Sequence, residues 1–199
     1  MNEKFYNLSK DKQDVIINAA IKVFAQNGYE HASTDTMIKE AGISKGLLFH
    51  YFGNKKNLYQ YVLEYSARYL MMELSQCIHA DEKNFFDRVI SVEKNKIRML
   101  QNYRFLDLFL LNCETEQEEE VKDCAKKWSD EIKECYQKIW EGSDIALLRG
   151  NLALADAVGI VTLCMNGYKI NKYRECQEPE EVLTSFLPWL QILKTNMTR

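Results

Sequence analysis

An all-α fold in two parts is what this 199-residue sequence predicts. Three observations carry that expectation. Only two prolines and eight glycines interrupt the chain, so long helical windows survive. No stretch sustains the period-two alternation, bounded by turn residues, that marks a strand. Apolar residues recur instead at three- and four-residue spacing through most of the chain. The windows between breaks give about nine helices.

Taken in order, the first helix runs from about Asp11 to Asn27, where Val15, Ile16, Ala19, Ala20, Val23 and Phe24 make one apolar stripe. Gly28 ends it with a left-handed residue. The second starts at Ser33 or Thr34, either of which caps free amides, with Asp35 favourable in the positive first turn. Met37, Ile38 and Ala41 face inward. Gly42 permits a sharp turn, Ile43 plugs it and Ser44 caps a short third helix, about Lys45 to Phe52. Gly53 stops that helix, and Asn54 caps a fourth that reaches about His79. The polar run Ala80-Asp81-Glu82-Lys83-Asn84 reads as a boundary, which gives domains at 1–60, with the fourth helix to about 79 as connector, and at 82–199. Further amphipathic windows cover about 84–101, 103–113, 117–141, 152–174 and 179–197. Breaks fall at 141–144 and at Arg149-Gly150-Asn151. Pro179 suits the first turn of the last helix, and Pro188 should kink it near Thr184.

Composition narrows the chemistry. Residues 1–60 hold eight basic and six acidic residues, whereas residues 61–199 hold 18 basic and 23 acidic. A mildly basic front on an acidic body fits a small nucleic-acid reader joined to a part with another job. The six cysteines form no C-x-x-C pair, so the zinc-site spacings are absent. With no signal-like leader, they read as reduced, mostly buried thiols of a cytoplasmic protein. No apolar run approaches the roughly 18 residues that would span a bilayer. No Ser/His/Asp, metal or phosphate-loop constellation suggests an enzyme, and no cofactor is expected.

The third helix has about two turns and cannot be stable alone. Leu48 and Phe52 face its support, which leaves Lys45, Gly46, Leu47, Phe49, His50 and Tyr51 for the outer faces. Gly46 allows close approach to a backbone, and Lys45 reaches a phosphate or a guanine edge. Leu47 suits a thymine methyl, while His50 and Tyr51 offer hydrogen bonds. Ser33 and Thr34 at the start of the second helix, and Lys55 and Lys56 at the start of the fourth, present amides and charge to an anion. From composition alone the Leu-Leu-Phe-x-Tyr-Phe run reads as plain core; the flanking caps and the Gly42 turn favour a helix that enters a DNA groove.

This segment resembles the DNA-binding domain of the TetR family of transcriptional regulators, whose loose pattern is T-T-x-x-x-I-A-x-x-A-G-V-S-x-G-x-L-Y-x-H-F-x-S-K-E-x-L. Ala41, Gly42, Ser44, Gly46, Leu48, Phe52, Lys55 and Leu58 fall on it directly, and Ile43, Tyr51 and Asn54 are near-equivalents. Phe24 and Gly28-Tyr29 match the family's first helix, so the likeness covers about residues 10–65. Three positions depart from it: Phe49 replaces a phosphate-binding tyrosine, Ala32 replaces a threonine and Lys56 replaces an acidic residue. The resemblance implies double-stranded operator DNA as partner, a C-terminal helical effector-binding and dimerisation domain, and repression relieved by a small molecule of unknown identity. The windows 152–174 and 179–197, apolar on nearly every face, would then form the homodimer contact. Met99, Tyr103, Phe109, Cys113, Trp128, Tyr136, Trp140, Cys164, Met165 and Tyr168 are candidates to line an effector pocket. Two other classes stay open from sequence: a helical small-molecule-binding protein or enzyme with a vestigial DNA head, and an architectural DNA binder without effector.

Overall fold

The computed structural model describes residues 3–77, 81–150, 152–175 and 177–199. The expected end of the fourth helix at His79, the break residues Ala80 and Asn151, and Cys176 lie outside the described residues. Among the described residues ten α-helices occur in the order α1 (Glu3–Tyr6), α2 (Lys10–His31), α3 (Thr34–Ala41), α4 (Lys45–Phe52), α5 (Lys55–Gln76), α6 (Phe85–Met99), α7 (Leu106–Cys113), α8 (Lys122–Glu141), α9 (Leu154–Arg174) and α10 (Pro179–Met197). The nine sequence-derived helices are α2 to α10. The tenth, α1, was not anticipated, because four residues are too few to display a period. Among the described residues one 3-10 turn, Ile145–Leu147, lies between the two predicted breaks that precede α9.

Packing divides the chain into two compact units, Met1–Tyr69 with Tyr103–Glu131 and Leu70–Asn102 with Ile132–Arg199. The polar run at 80–84 is therefore not where packing divides the chain: Tyr103–Glu131 gathers with the N-terminal helices.

In the first unit α2 is the central element, packed against α3 and α7. Ile16, Ile17, Ala20, Ile21, Val23 and Phe24 are buried on it, whereas Val15, expected in the stripe, is 49% exposed. The other five residues of the predicted stripe are buried, and Ile17 and Ile21, also buried, widen the covered face. Gly28 has φ 68° and ψ 180°, a region open essentially to glycine alone, so the break after Asn27 is real but its geometry is extended rather than left-handed helical. Phe5, fully buried, brings α1 against the rings of Tyr51, Phe52 and Tyr61, with centroids 5.6, 4.9 and 5.4 Å away. A polar chain holds the start of α2 to α5. Lys10 Nζ donates to Asp14 (2.7 Å) and Tyr65 (2.8 Å), and the Tyr103 hydroxyl donates to Asp14 at 2.5 Å. Burial and these bonds push the Tyr103 hydroxyl well above the usual phenol range, so it stays a donor.

The second unit is built on α6, α9 and α10. Phe85, Phe86, Val89, Leu148, Ala157, Val161, Phe186 and Leu190 form its core. The α10 helix runs unbroken through Pro188. Its end is tied down by an antiparallel bridge between Leu148 and Thr198, and Arg149 Nε donates to the Thr198 carbonyl at 2.7 Å. Arg88 closes the end of α8: buried, it donates to the carbonyls of Glu82 (2.7 Å), Ile139 (2.7 Å) and Gly142 (3.0 Å).

Candidate nucleic-acid interface

The candidate interface centres on a short helix, α4, with a cap at each of its joints to α3 and α5. The Ser33 hydroxyl accepts from the Thr36 amide at 3.4 Å and starts α3. Gly42, at φ 63° and ψ 32°, ends it: its amide and that of Ile43 close on the carbonyls of Lys39 and Ile38. The Ser44 hydroxyl then accepts from the Leu47 amide at 3.2 Å and starts α4. Gly53, at φ 78°, returns its amide to the Phe49 carbonyl at 2.8 Å, and Asn54 Oδ1 takes the Asn57 amide at 2.8 Å to open α5. Each joint was legible in the sequence because each depends on one residue's local chemistry.

The faces of α4 divide cleanly. Leu48 and Phe52 are buried, as expected, and Lys45, Gly46, Leu47 and His50 are exposed, with Phe49 half-buried. Tyr51 is a correction: expected on the outer face, it is only 6% exposed and lies edge-on to Phe5. The unanticipated α1 covers it, so its ring braces the helix. A Phe5-Tyr6 pair in an otherwise polar leader was the available signal. Ser33 and Lys56 are exposed, and Thr34 is partly so.

Two lysines have partners that spacing did not reveal. Lys45 Nζ pairs with Asp35 of α3 at 2.9 Å, both side chains mostly in solvent. Lys55 Nζ donates to the Glu30 carbonyl at 3.0 Å and lies 4.8 Å from the centre of the Tyr29 ring. Tyr29 in turn donates its hydroxyl to Glu120, and its burial with that carboxylate beside it pushes the phenol upward. Lys55 is thus positioned across the α2–α3 junction, whereas Lys45 and Lys56 project outward.

The candidate effector residues do not gather in one unit. Tyr103, Phe109, Cys113 and Trp128 belong to the first; Met99, Tyr136, Cys164, Met165 and Tyr168 belong to the second. Met99, Tyr103, Phe109, Cys113 and Trp128 are core residues, and Tyr136, Met165 and Tyr168 are half-buried. Cys164 lies on the exposed side of α9. Trp140 stacks on Tyr136 with centroids 5.8 Å apart. The thiols are free at Cys77, Cys113, Cys124, Cys135 and Cys164, but only Cys113 is buried, which corrects the expectation of mostly buried cysteines. Burial pushes the Cys113 thiol up to about 12, and it lies 3.2 Å from the Tyr59 hydroxyl. Among the described residues no group of three or more His, Cys, Asp or Glu side chains could hold a metal ion, and no helix is long and apolar enough to cross a membrane.

The α9 helix is apolar on two stripes, but only one is covered. Ala157, Val161 and Lys169 point into the second unit, whereas Ile160 (38%), Leu163 (77%) and Ile170 (41%) are exposed. On α10, Val182, Leu183, Phe186 and Leu190 are buried, while Trp189 and Ile192 are each 54% exposed.

Residues 16–62 match the family model for bacterial regulatory proteins of the tetR family. An uncharacterized HTH-type transcriptional regulator of Bacillus subtilis, YuxN, is 31% identical over 121 residues, 59% of this chain and 40% of that protein. The biofilm operon icaADBC HTH-type negative transcriptional regulator IcaR of Staphylococcus aureus is 29% identical over 94 residues, 44% of this chain and 50% of that protein. The match thus spans half or less of these curated relatives. Among solved structures, a TetR family transcriptional regulator from Chloroflexus aurantiacus superposes with a TM-score of 0.68 at 20% identity, covering 100% of this chain and 98% of that one. The ketosteroid transcriptional regulator KstR2 of Mycobacterium tuberculosis gives 0.69 at 14% identity, covering 96% and 97%. These two show the same fold from end to end. All four are named as transcriptional regulators. The capped α3–turn–α4 unit thus lies within the stretch that matches the tetR-family model, and the chain as a whole shares the fold of solved TetR-type regulators.

Proposed function

We propose that this protein is a cytoplasmic, homodimeric transcriptional regulator that binds a palindromic operator in double-stranded DNA and represses until a small-molecule effector releases it. The observation that carries the reading is the exposed row Lys45, Gly46, Leu47 and His50 on a helix too short to stand alone, presented by Ser33, Gly42, Ser44 and Gly53. A helix so braced suits insertion into a major groove, with Phe49 against the sugar edge and Ser33, Thr34 and Lys56 on phosphates. In this reading Tyr51 and Lys55 act as brace and spacer. Residues 1–60 are the reading head, the following helix to about 79 the connector, and 82–199 the effector-binding and dimerisation body.

Two-fold DNA sites need two heads separated by about one helical turn or a multiple of it, roughly 34 Å. The uncovered stripe of Ile160, Leu163 and Ile170, with Trp189 and Ile192, suits a self-complementary contact between two copies. That IcaR is named a negative regulator supports repression, and that KstR2 is named a ketosteroid regulator supports a small-molecule signal.

A mobility-shift assay with the DNA upstream of the protein's own gene tests the reading. The expected result is a complex of two chains per site that weakens steeply with salt. Absence of any salt-sensitive complex on that DNA overturns it.

A further inference from the structure

The segment ahead of α2 is anchored by an aromatic ring. Glu3–Tyr6 makes a single helical turn, too short to persist by itself. Phe5 is fully buried, whereas Glu3, Lys4 and Tyr6 are exposed. The backbone behind the turn is tied to α2. Leu8 donates its amide to the Phe5 carbonyl at 3.2 Å, and Gln13 Nε2 donates to the carbonyls of Leu8 (2.9 Å) and Tyr6 (3.3 Å).

The Phe5 ring touches two helices at once. On α4 it meets Tyr51 edge-on and Phe52 at a tilt, with centroids 5.6 and 4.9 Å away; on α5 it meets Tyr61 edge-on at 5.4 Å. Phe52 and Tyr61 are themselves 5.5 Å apart, so three rings close on one another across the α4–α5 joint. The joint passes through Gly53, at φ 78°, which has no side chain to limit its backbone. The angle between the two helices therefore depends on packing, and Phe5 supplies packing on both sides. Leu47 lies four residues before Tyr51, one turn away on the same face of α4. What Phe5 does to Tyr51 thus reaches the exposed row of the reading helix.

We propose that Phe5 is a positioning residue for DNA binding: its ring holds α4 against α5 and sets the angle at which Lys45, Gly46, Leu47 and His50 meet the groove. This rests on the regulator reading, and it adds a residue outside the capped α3–turn–α4 unit on which operator affinity depends. Phe5 itself touches no DNA and acts through Tyr51 and Phe52. When only a fraction of the heads holds the competent orientation, the apparent affinity falls by that fraction. A fall to about one-third in each of two heads weakens operator binding about tenfold.

The test uses the full-length protein and the DNA upstream of its own gene. Fluorescence anisotropy gives the affinity, and a stoichiometric titration gives the active fraction. Phe5→Ala should bind about tenfold more weakly with the active fraction unchanged. Its salt slope should equal the parent's, because no phosphate contact is lost. Hydrogen exchange should quicken at the amides of α4 and not at those of α6 and α10. Phe5→Leu, which refills most of the space, should recover most of the affinity. Tyr51→Phe, which keeps the ring and drops only the hydroxyl, should bind as the parent does. Should Phe5→Ala not fold, Tyr51→Ala removes the other half of the contact and takes its place with the same expectation. Unchanged affinity, a loss matched by a fall in active fraction, a flatter salt slope, or weaker binding by Tyr51→Phe would overturn the assignment. A parent protein that binds no DNA refutes the regulator reading, whereas a parent that binds, with Phe5→Ala as tight, refutes this inference alone.

Discussion

The pair between Lys45 and Asp35 sets up two opposite mutational outcomes on one surface. Lys45 opens α4 and Asp35 lies in the first turn of α3, 2.9 Å apart, with side chains 62% and 72% exposed. For Lys45 to reach a DNA phosphate the pair must open. An exposed ion pair of this kind is worth about 0.2–1 kcal/mol, so solvent has already discounted most of its Coulomb energy. Asp35→Asn removes that opening cost in each of two heads, about 0.4–2 kcal/mol per dimer, which corresponds to roughly 2- to 30-fold tighter operator binding. Lys45→Ala removes one phosphate contact per head. The slope of log K against log salt should then flatten by about 0.9 per head, or about 1.8 per dimer. Fluorescence anisotropy with a labelled operator across about 50–200 mM salt measures both effects. In the Lys45→Ala background Asp35→Asn should bring little further gain, because the ion pair no longer exists. An unchanged salt slope in Lys45→Ala, or weaker binding by Asp35→Asn, would refute the assignment of Lys45 as a DNA contact.

Other outcomes follow from the same geometry. Arg88→Met strands three carbonyls that Arg88 now bonds and should cost about 2–5 kcal/mol in urea unfolding. A Cβ at Gly142 would lie 2.5 Å from Arg88 Nη1, so Gly142→Ala should cost about 1–3 kcal/mol in the parent and become near-neutral beside Arg88→Met; additive costs would contradict the contact. Cys164 should react with iodoacetamide at neutral pH in the free monomer, whereas Cys113, buried and raised to about 12, should not. The raised Cys113 thiol also carries a pH signature. Its protonated form is favoured by folding, so its share of stability is fully present below the ordinary thiol range and is lost as pH rises towards 12. Destabilisation of a Cys113→Ser variant that grows rather than shrinks at alkaline pH would contradict this. Leu163→Glu, on the 77% exposed stripe residue of α9, should yield a monomer by size exclusion with the reading head still folded.

Features governed by one residue's own chemistry were the readable ones. Caps at Ser33, Ser44 and Asn54, positive φ at Gly42 and Gly53, and burial of Leu48 and Phe52 all depend on a hydroxyl, an amide, a missing Cβ or a local period. Features that depend on a distant partner were misread. Tyr51 follows the helical period onto a surface, but Phe5, far away in sequence, covers that surface. Lys55 reads as a free cation in its Lys-Lys pair, and the Glu30 carbonyl and Tyr29 ring claim it. Lys169 hides inside an apolar window. Only its place two and three four-residue steps beyond Val161 and Ala157 marks it as inward-facing. The aromatic and methionine residues chosen for a pocket by type alone are divided between two packing units, because type records hydrophobicity and not position.

Local chemistry written in sequence was enough to fix the helical class, the turn between α3 and α4, and the extent of α4, since each is decided within a few residues by hydrogen bonds and backbone sterics. Which side of each helix is covered was decided only in three dimensions. Burial is a property of whatever packs against a surface, and Phe5 over Tyr51 and Lys169 beside Glu93 join chain segments that no local window contains.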